Sequence, residues 1–253
     1  MGNNIALTIA ATVIIAVIFS GTPASRALPP AAQAIQKESP PEILSAAAER
    51  GDRLQTELRN YTYFAELTIQ TVSQADIITG KYYRFSQISY DRDGTRRERV
   101  QENSSTLPKG IYIGTETAEN LTRIYHFIIT SETLKQYEVD YVGRERIDDL
   151  NTYVFDVKPR FKLPDKSDKN RERFLKGRVW IDDEDHCVVK VAGEPVPEEK
   201  GHQAPNFETY FQNYGSAWFP AYTSGVDFIR VEGYFYRVVI NLRYTGYKKA
   251  GAR

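Results

Sequence analysis

The 253-residue sequence has one cysteine, Cys187, and three histidines, His126, His186 and His202. A single thiol excludes an intramolecular disulfide and every multi-cysteine zinc or iron–sulfur site. Three imidazoles leave little room for metal-centred or acid–base chemistry. An excess of charge is missing as well, because Lys plus Arg and Asp plus Glu both total 33. A neutral balance carries no global electrostatic footprint for DNA, RNA or an anionic bilayer, and no nucleic-acid partner is expected. The chain also lacks a GxSxG elbow, a Walker loop, a GxGxxG turn, an HExxH helix and an EF-hand loop. No cofactor, metal or catalytic residue is therefore assigned, and the protein is not expected to be an enzyme.

What is present starts with one apolar run. Ile5 to Phe19 is interrupted only by Thr8 and Thr12, and Ser20–Ala27 follows as a small-residue, proline-containing stretch. This is the layout of a secretory signal peptide, with cleavage expected after Ala24 or Ala27. The run falls short of the roughly 20 residues of a spanning helix, although retention as an anchor is the alternative. No cysteine follows it, so the protein is not itself a lipid-modified lipoprotein of the usual bacterial kind. Residues 1–27 are read as the signal peptide, 28–41 as an Ala/Pro-rich linker, and 42–253 as a single domain of ordinary all-β size.

Ser39-Pro-Pro-Glu42 carries a helix start, with a capping serine, proline in the first turn and glutamate at the capping-box position. Leu44, Ala47, Leu54 and Leu58 then share one helical face, and Gly51 is expected to weaken or break the helix. From Tyr61 the period changes to two. Tyr63, Ala65, Leu67 and Ile69 alternate with Phe64, Glu66, Thr68 and Gln70. Hairpin turns are expected at Asp91–Gly94, Asp148–Asn151 and Asp182–His186. Phe207–Tyr214, Trp218–Tyr222 and Val226–Ile229 read as separate strands, and Thr115–Tyr125 as a short helix or irregular crossing. In the last strand Tyr234, Tyr236, Val238, Ile240, Leu242 and Tyr244 oppose Arg237, Asn241 and Arg243. Successive hairpins without βαβ helices imply an antiparallel sheet, and the first helix needs that sheet's apolar face.

Polar clusters have plain structural readings. Asp182–Asp185 could hold a hard cation, but the turn lacks the alternating ligands and glycine of a calcium loop. His126 lies among apolar residues, Cys187 has no histidine-and-orienter arrangement, and Arg96–Arg99 reads as an exposed strand. Lys162–Arg173 reads as a charged surface loop. The 17 tyrosines and 12 phenylalanines, concentrated on alternating strand positions, suit either core packing or the wall of an apolar cavity.

The stretches Phe174-Leu-Lys-Gly-Arg-Val-Trp-Ile-Asp182, Tyr141-Val-Gly-Arg-Glu145, Leu150–Pro159, Phe207-Glu-Thr209, Trp218-Phe-Pro220 and Arg243–Lys248 resemble the LolA-like outer-membrane lipoprotein-sorting superfamily. The resemblance spans about Leu44 to Lys249. It implies a mainly β (α+β) fold: a half-open antiparallel β-barrel of about 10–11 strands, covered by an N-terminal helix and short helices. It implies a periplasmic monomer that holds acyl chains of lipoproteins or lipid and meets an inner- or outer-membrane partner protein. In the characterised carriers an arginine on one strand helps to hold a lid, and no arginine of this sequence is matched to it. Alternation and resemblance together place Leu67, Ile69, Phe155, Val157, Val179, Ile181, Val189, Val238, Ile240 and Leu242 on the concave, ligand-facing side. Two other readings stand beside the carrier. An envelope sensor or protein-binding module would have a filled interior, and a secreted hydrolase would have clustered polar groups in a cleft.

Overall fold

A computed structural model of the chain describes residues 38–124, 127–160, 174–196, 206–215 and 217–250. Residues 1–27, read above as a signal peptide, most of residues 28–41, read as a linker, and His126, His202 and residues 162–173, read as a charged loop, lie outside the described residues. The elements run α1 (Pro40–Leu58), β1 (Tyr61–Val72), β2 (Ile78–Tyr90), β3 (Arg96–Ser105), α2 (Thr115–Ile124), α3 (Ser131–Gln136), β4 (Tyr137–Ile147), β5 (Leu150–Pro159), β6 (Phe174–Asp182), β7 (Val188–Val196), β8 (Asn206–Asn213), β9 (Trp218–Val231) and β10 (Tyr234–Lys249). All ten strands form one antiparallel sheet in the order β3-β2-β1-β10-β9-β8-β7-β6-β5-β4. β3 and β4 are the two unpaired edges, so the sheet is open. This is the mainly β architecture with an N-terminal helix that the sequence leads one to expect.

α1 begins as its capping box dictates. The Ser39 N–H and hydroxyl both donate to the Glu42 carboxylate, at 2.8 and 2.7 Å. The helix buries Ile43, Ala47, Ala48 and Leu58 and does not break at Gly51. A Cβ at Gly51 would lie 1.8 Å from the Ile129 carbonyl oxygen, so this glycine lets the segment before α3 press against the helix. The unforeseen α3 starts from a local device. Thr130 and Thr133 cap one another, and Ser131 donates to Asp52 of α1 at 2.6 Å.

The last long hairpin differs from expectation too, because Trp218 to Val231 is one strand. The join falls at Thr223–Gly225, where Thr223 is buried and bonded to Thr209 at 2.9 Å and Gly225 pairs with Phe207.

Candidate functional site

Strand register assembles the apolar face row by row. One row crosses the sheet as Arg84, Leu67, Leu242, Thr223, Thr209, Val191, Val179 and Phe155. The next runs Tyr82, Ile69, Ile240, Gly225, Phe207, Gly193, Gly177 and Val157. Antiparallel partners point the same way, so these rows form one continuous face. Leu67, Ile69, Phe155, Val157, Val179, Ile181, Val238, Ile240 and Leu242 all belong to the single large core on that face. Val189 does not. A bulge between Trp180 and Ile181 pairs Ile181 with Val188 and Trp180 with Lys190, which leaves Val189 unpaired. Its side chain joins Val154 and Trp180 in a small cluster on the outer face, and Val188 takes the inward place. A bulge inverts the alternation on which the expected face rested.

The inward face is covered by α1, by Ala118 of α2 and by Ile129 before α3, all buried in the same core. At one end stand the aromatic residues Tyr61, Tyr63, Tyr214, Phe219, Tyr244 and Tyr247, with Phe219 and Tyr247 stacked at 4.7 Å. Burial pushes the Tyr63 and Tyr247 phenols well above their ordinary range, so both stay neutral. The interior is therefore packed with side chains. Beneath α1 a recess of about 100 Å³ is lined by Ala47, Gly51, Leu54, Ile128, Val188 and Trp218 among others. Pockets for drug-sized ligands run to about 300–1,000 Å³, so a larger guest requires the cover to move.

Two polar groups set how the cover is held. The first is the β6–β7 turn, expected above as a hairpin turn. Two of its carboxylates are occupied by the turn itself: Asp182 accepts from the backbone N–H groups of Glu184 and Asp185, and Asp185 accepts from that of Cys187, while Asp183 pairs with Arg144 of β4. Asp185 also accepts from the Trp218 indole at 2.7 Å, and Arg50 of α1 donates to the Asp185 carbonyl at 2.9 Å. The turn thus fastens α1 to the sheet. No metal-holding group of His, Cys, Asp and Glu side chains occurs among the described residues. Burial and the Asp185 carboxylate push the Cys187 thiol up to about 12, the opposite of an activated nucleophile.

The second group was missed in the sequence. Arg84 stands on the inward face of β2 with Tyr82, Ser86 and Ile88, and its side chain is only 3% exposed. Glu98 of β3 accepts from Arg84 Nε at 2.9 Å, from Ser86 Oγ at 2.8 Å and from Arg96 Nη1 at 3.1 Å. Across from this network Glu119 of α2 lies 3.6 Å from Arg84 Nη2. Burial alone would raise the Glu98 carboxyl. The hydrogen bonds from Ser86 and Arg84 and the two guanidinium charges outweigh burial and hold it below its ordinary range. Arg96 and Glu98 thus turn inward, contrary to the exposed strand expected at Arg96–Arg99. A charge at an even position of the Tyr82–Ile88 alternation was the available signal.

No family model and no curated protein matches this sequence. Solved structures similar to it include the LolA superfamily protein NE2245 from Nitrosomonas europaea, at 12% identity and TM-score 0.35, over 83% of this chain and 93% of that one. A putative outer membrane lipoprotein-sorting protein domain from Vibrio parahaemolyticus is similar at 13% identity and TM-score 0.38, over 83% and 93%. The MucA/MucB complex of Pseudomonas aeruginosa is similar at 10% identity and TM-score 0.26, over 81% and 99%. At such values these likenesses concern strand layout and carry no function to this chain. The class defined by the geometry is an open ten-stranded antiparallel sheet whose apolar inner face lies under a helical cover.

Proposed function

We propose that the protein is a non-enzymatic carrier of the bacterial envelope, exported to the periplasm, that takes acyl chains of lipoproteins or lipid between its inner face and its helices. The observation that carries this reading is the continuous apolar face of nine aligned positions, from Leu67 to Leu242, closed by helices that include α2 over a buried ionic network. In the closed state the guest's place is filled by the cover, and the chain opens by displacing helices while the sheet stays intact. At about 0.8 kcal/mol per buried methylene, an acyl chain of about twelve carbons exceeds its ordering cost by several kcal/mol. Millimolar binding needs roughly −4 kcal/mol, which lies within reach without a charged anchor. A protein-binding module with the same fold is the second reading, favoured by the packed interior.

Uptake of a fluorescent fatty acid by the folded protein tests the carrier. Binding by the wild type and weaker binding by the near-isosteric Val238→Thr, with Val239→Thr on the opposite face binding as the wild type does, is the expected result. A folded wild type that binds no probe contradicts the carrier and leaves the protein-binding module.

A further inference from the structure

The β9–β10 hairpin outruns its neighbours. Among the described residues, the last pair of β8 with β9 is Asn206–Val226 and the last pair of β1 with β10 is Val72–Arg237. Beyond those points Tyr234–Val231, Phe235–Arg230 and Tyr236–Ile229 pair with each other and with no other described strand. Three residues at about 3.3 Å each make a two-stranded ribbon that projects about 10 Å. A free ribbon is ordinarily polar, and this one carries exposed aromatic rings on both sides, with Arg230 and Arg237 beside those of the outer side. Tyr234, 68% exposed, follows the inward alternation of Val238 and Ile240, whereas Phe235 and Phe228, 52% and 57% exposed, point outward. The β1–β2 turn beside it adds Ile77 and Ile78, both exposed, and Arg237 ties the two tips together through Asp76 at 2.9 Å. Val231 rests against Gly110, which fixes the direction of the ribbon, and Arg230 lies over the Phe235 ring at 5.0 Å.

We infer that this paired tip is a membrane-docking device that inserts into the interfacial layer of a lipid bilayer. A protein partner presents a surface and covers one side of a ribbon. Apolar side chains on both sides are all satisfied only by a medium that flows around them. A projection of about 10 Å matches the 5–10 Å depth of interfacial insertion. Aromatic rings are favoured at that depth, and the Arg230 guanidinium beside Phe235 is placed to meet headgroup phosphates. The inference goes beyond the carrier reading and does not depend on it, because the exposed rings it rests on, Phe228, Tyr234 and Phe235, are not part of the buried core.

The test uses the full chain with Cys187→Ala and a nitrobenzoxadiazole label on Phe235→Cys, or on Lys176→Cys of the outer β6 surface as a control. Vesicles of phosphatidylethanolamine and phosphatidylglycerol are added. The expected result is a blue shift with increased emission at position 235, none at position 176, and loss of the shift when Phe228→Ser and Tyr234→Ser are added. These substitutions lie outside the core, so the fold should survive, and an unchanged thermal transition checks it. No shift at position 235, an equal shift at both positions, or a shift that survives the double serine variant would overturn the inference.

Discussion

Replacing Glu98 by glutamine should be among the most damaging isosteric changes in this chain. Glu98 is the shared acceptor of Arg84, Ser86 and Arg96, and its side chain is 5% exposed beside an Arg84 side chain at 3%. Glutamine keeps the volume but strips the negative charge, leaving two guanidinium groups in contact with a neutral amide inside the core. Breaking a buried pair from one side costs about 3–5 kcal/mol. For a chain of this size that lowers Tm by about 6–20 °C. Replacing both members of the closest pair, as in Arg84→Met with Glu98→Leu, removes the two most buried charges, takes this carboxylate from Arg96, and should recover part of the loss. The pH dependence has a definite sign. The Glu98 carboxyl is held below its ordinary range in the folded protein. Its contribution is therefore complete above the unfolded-state value of about 4.3 and is lost as pH falls through the lower folded value. Urea unfolding of wild type and Glu98→Gln from neutral pH downward should show two curves that converge only in acid. A Glu98→Gln loss under about 1 kcal/mol at neutral pH, or a double variant as weak as the single one, would refute the reasoning.

Other consequences can be checked separately. Gly51→Ala should destabilise by about 1–3 kcal/mol despite alanine's better helix propensity, since its methyl group meets the Ile129 carbonyl; denaturant midpoints decide this. The Cys187 thiol, pushed up to about 12, should resist alkylation at neutral pH in the folded state and react readily in denaturant, as read by intact mass. Val188→Asp should unfold the protein, because Val188 rather than Val189 enters the main core, whereas Val189→Ala should cost no more than about 1–2 kcal/mol; thermal scans separate the two.

The parts of this fold that could be read from sequence are those in which local chemistry and tertiary structure agree. Ser39 and Glu42 announce α1 because a capping box is a property of four residues. The alternation of Leu67 with Ile69, and of Val238 with Ile240 and Leu242, survives because β1 and β10 are central strands packed on one side. Where a second strand decides the outcome, one chain segment is not enough. Val189 has the sequence context of an inward residue, and only the bulge against Trp180 turns it out. Arg84 lies in an ordinary alternation, but its neutralising partners come from Arg96–Arg99, a run whose charges suggest solvent. Tyr234 and Tyr236 continue the core alternation faithfully, yet the core ends before them, because β1 and β8 stop short. The helical cover was legible at α1 and α2, and α3 was not, since Ser131–Gln136 rests on Thr130–Thr133 capping and the Asp52 contact without an apolar repeat.

The central claim is that the apolar inner face exists to receive an acyl chain. Native mass spectrometry of the protein purified from the envelope without detergent tests it most directly. The account predicts a population heavier than the polypeptide by the mass of an acyl lipid, and a smaller such population in Val238→Thr. A wild type that carries only its polypeptide mass, and stays unshifted after incubation with fatty acid, would contradict it.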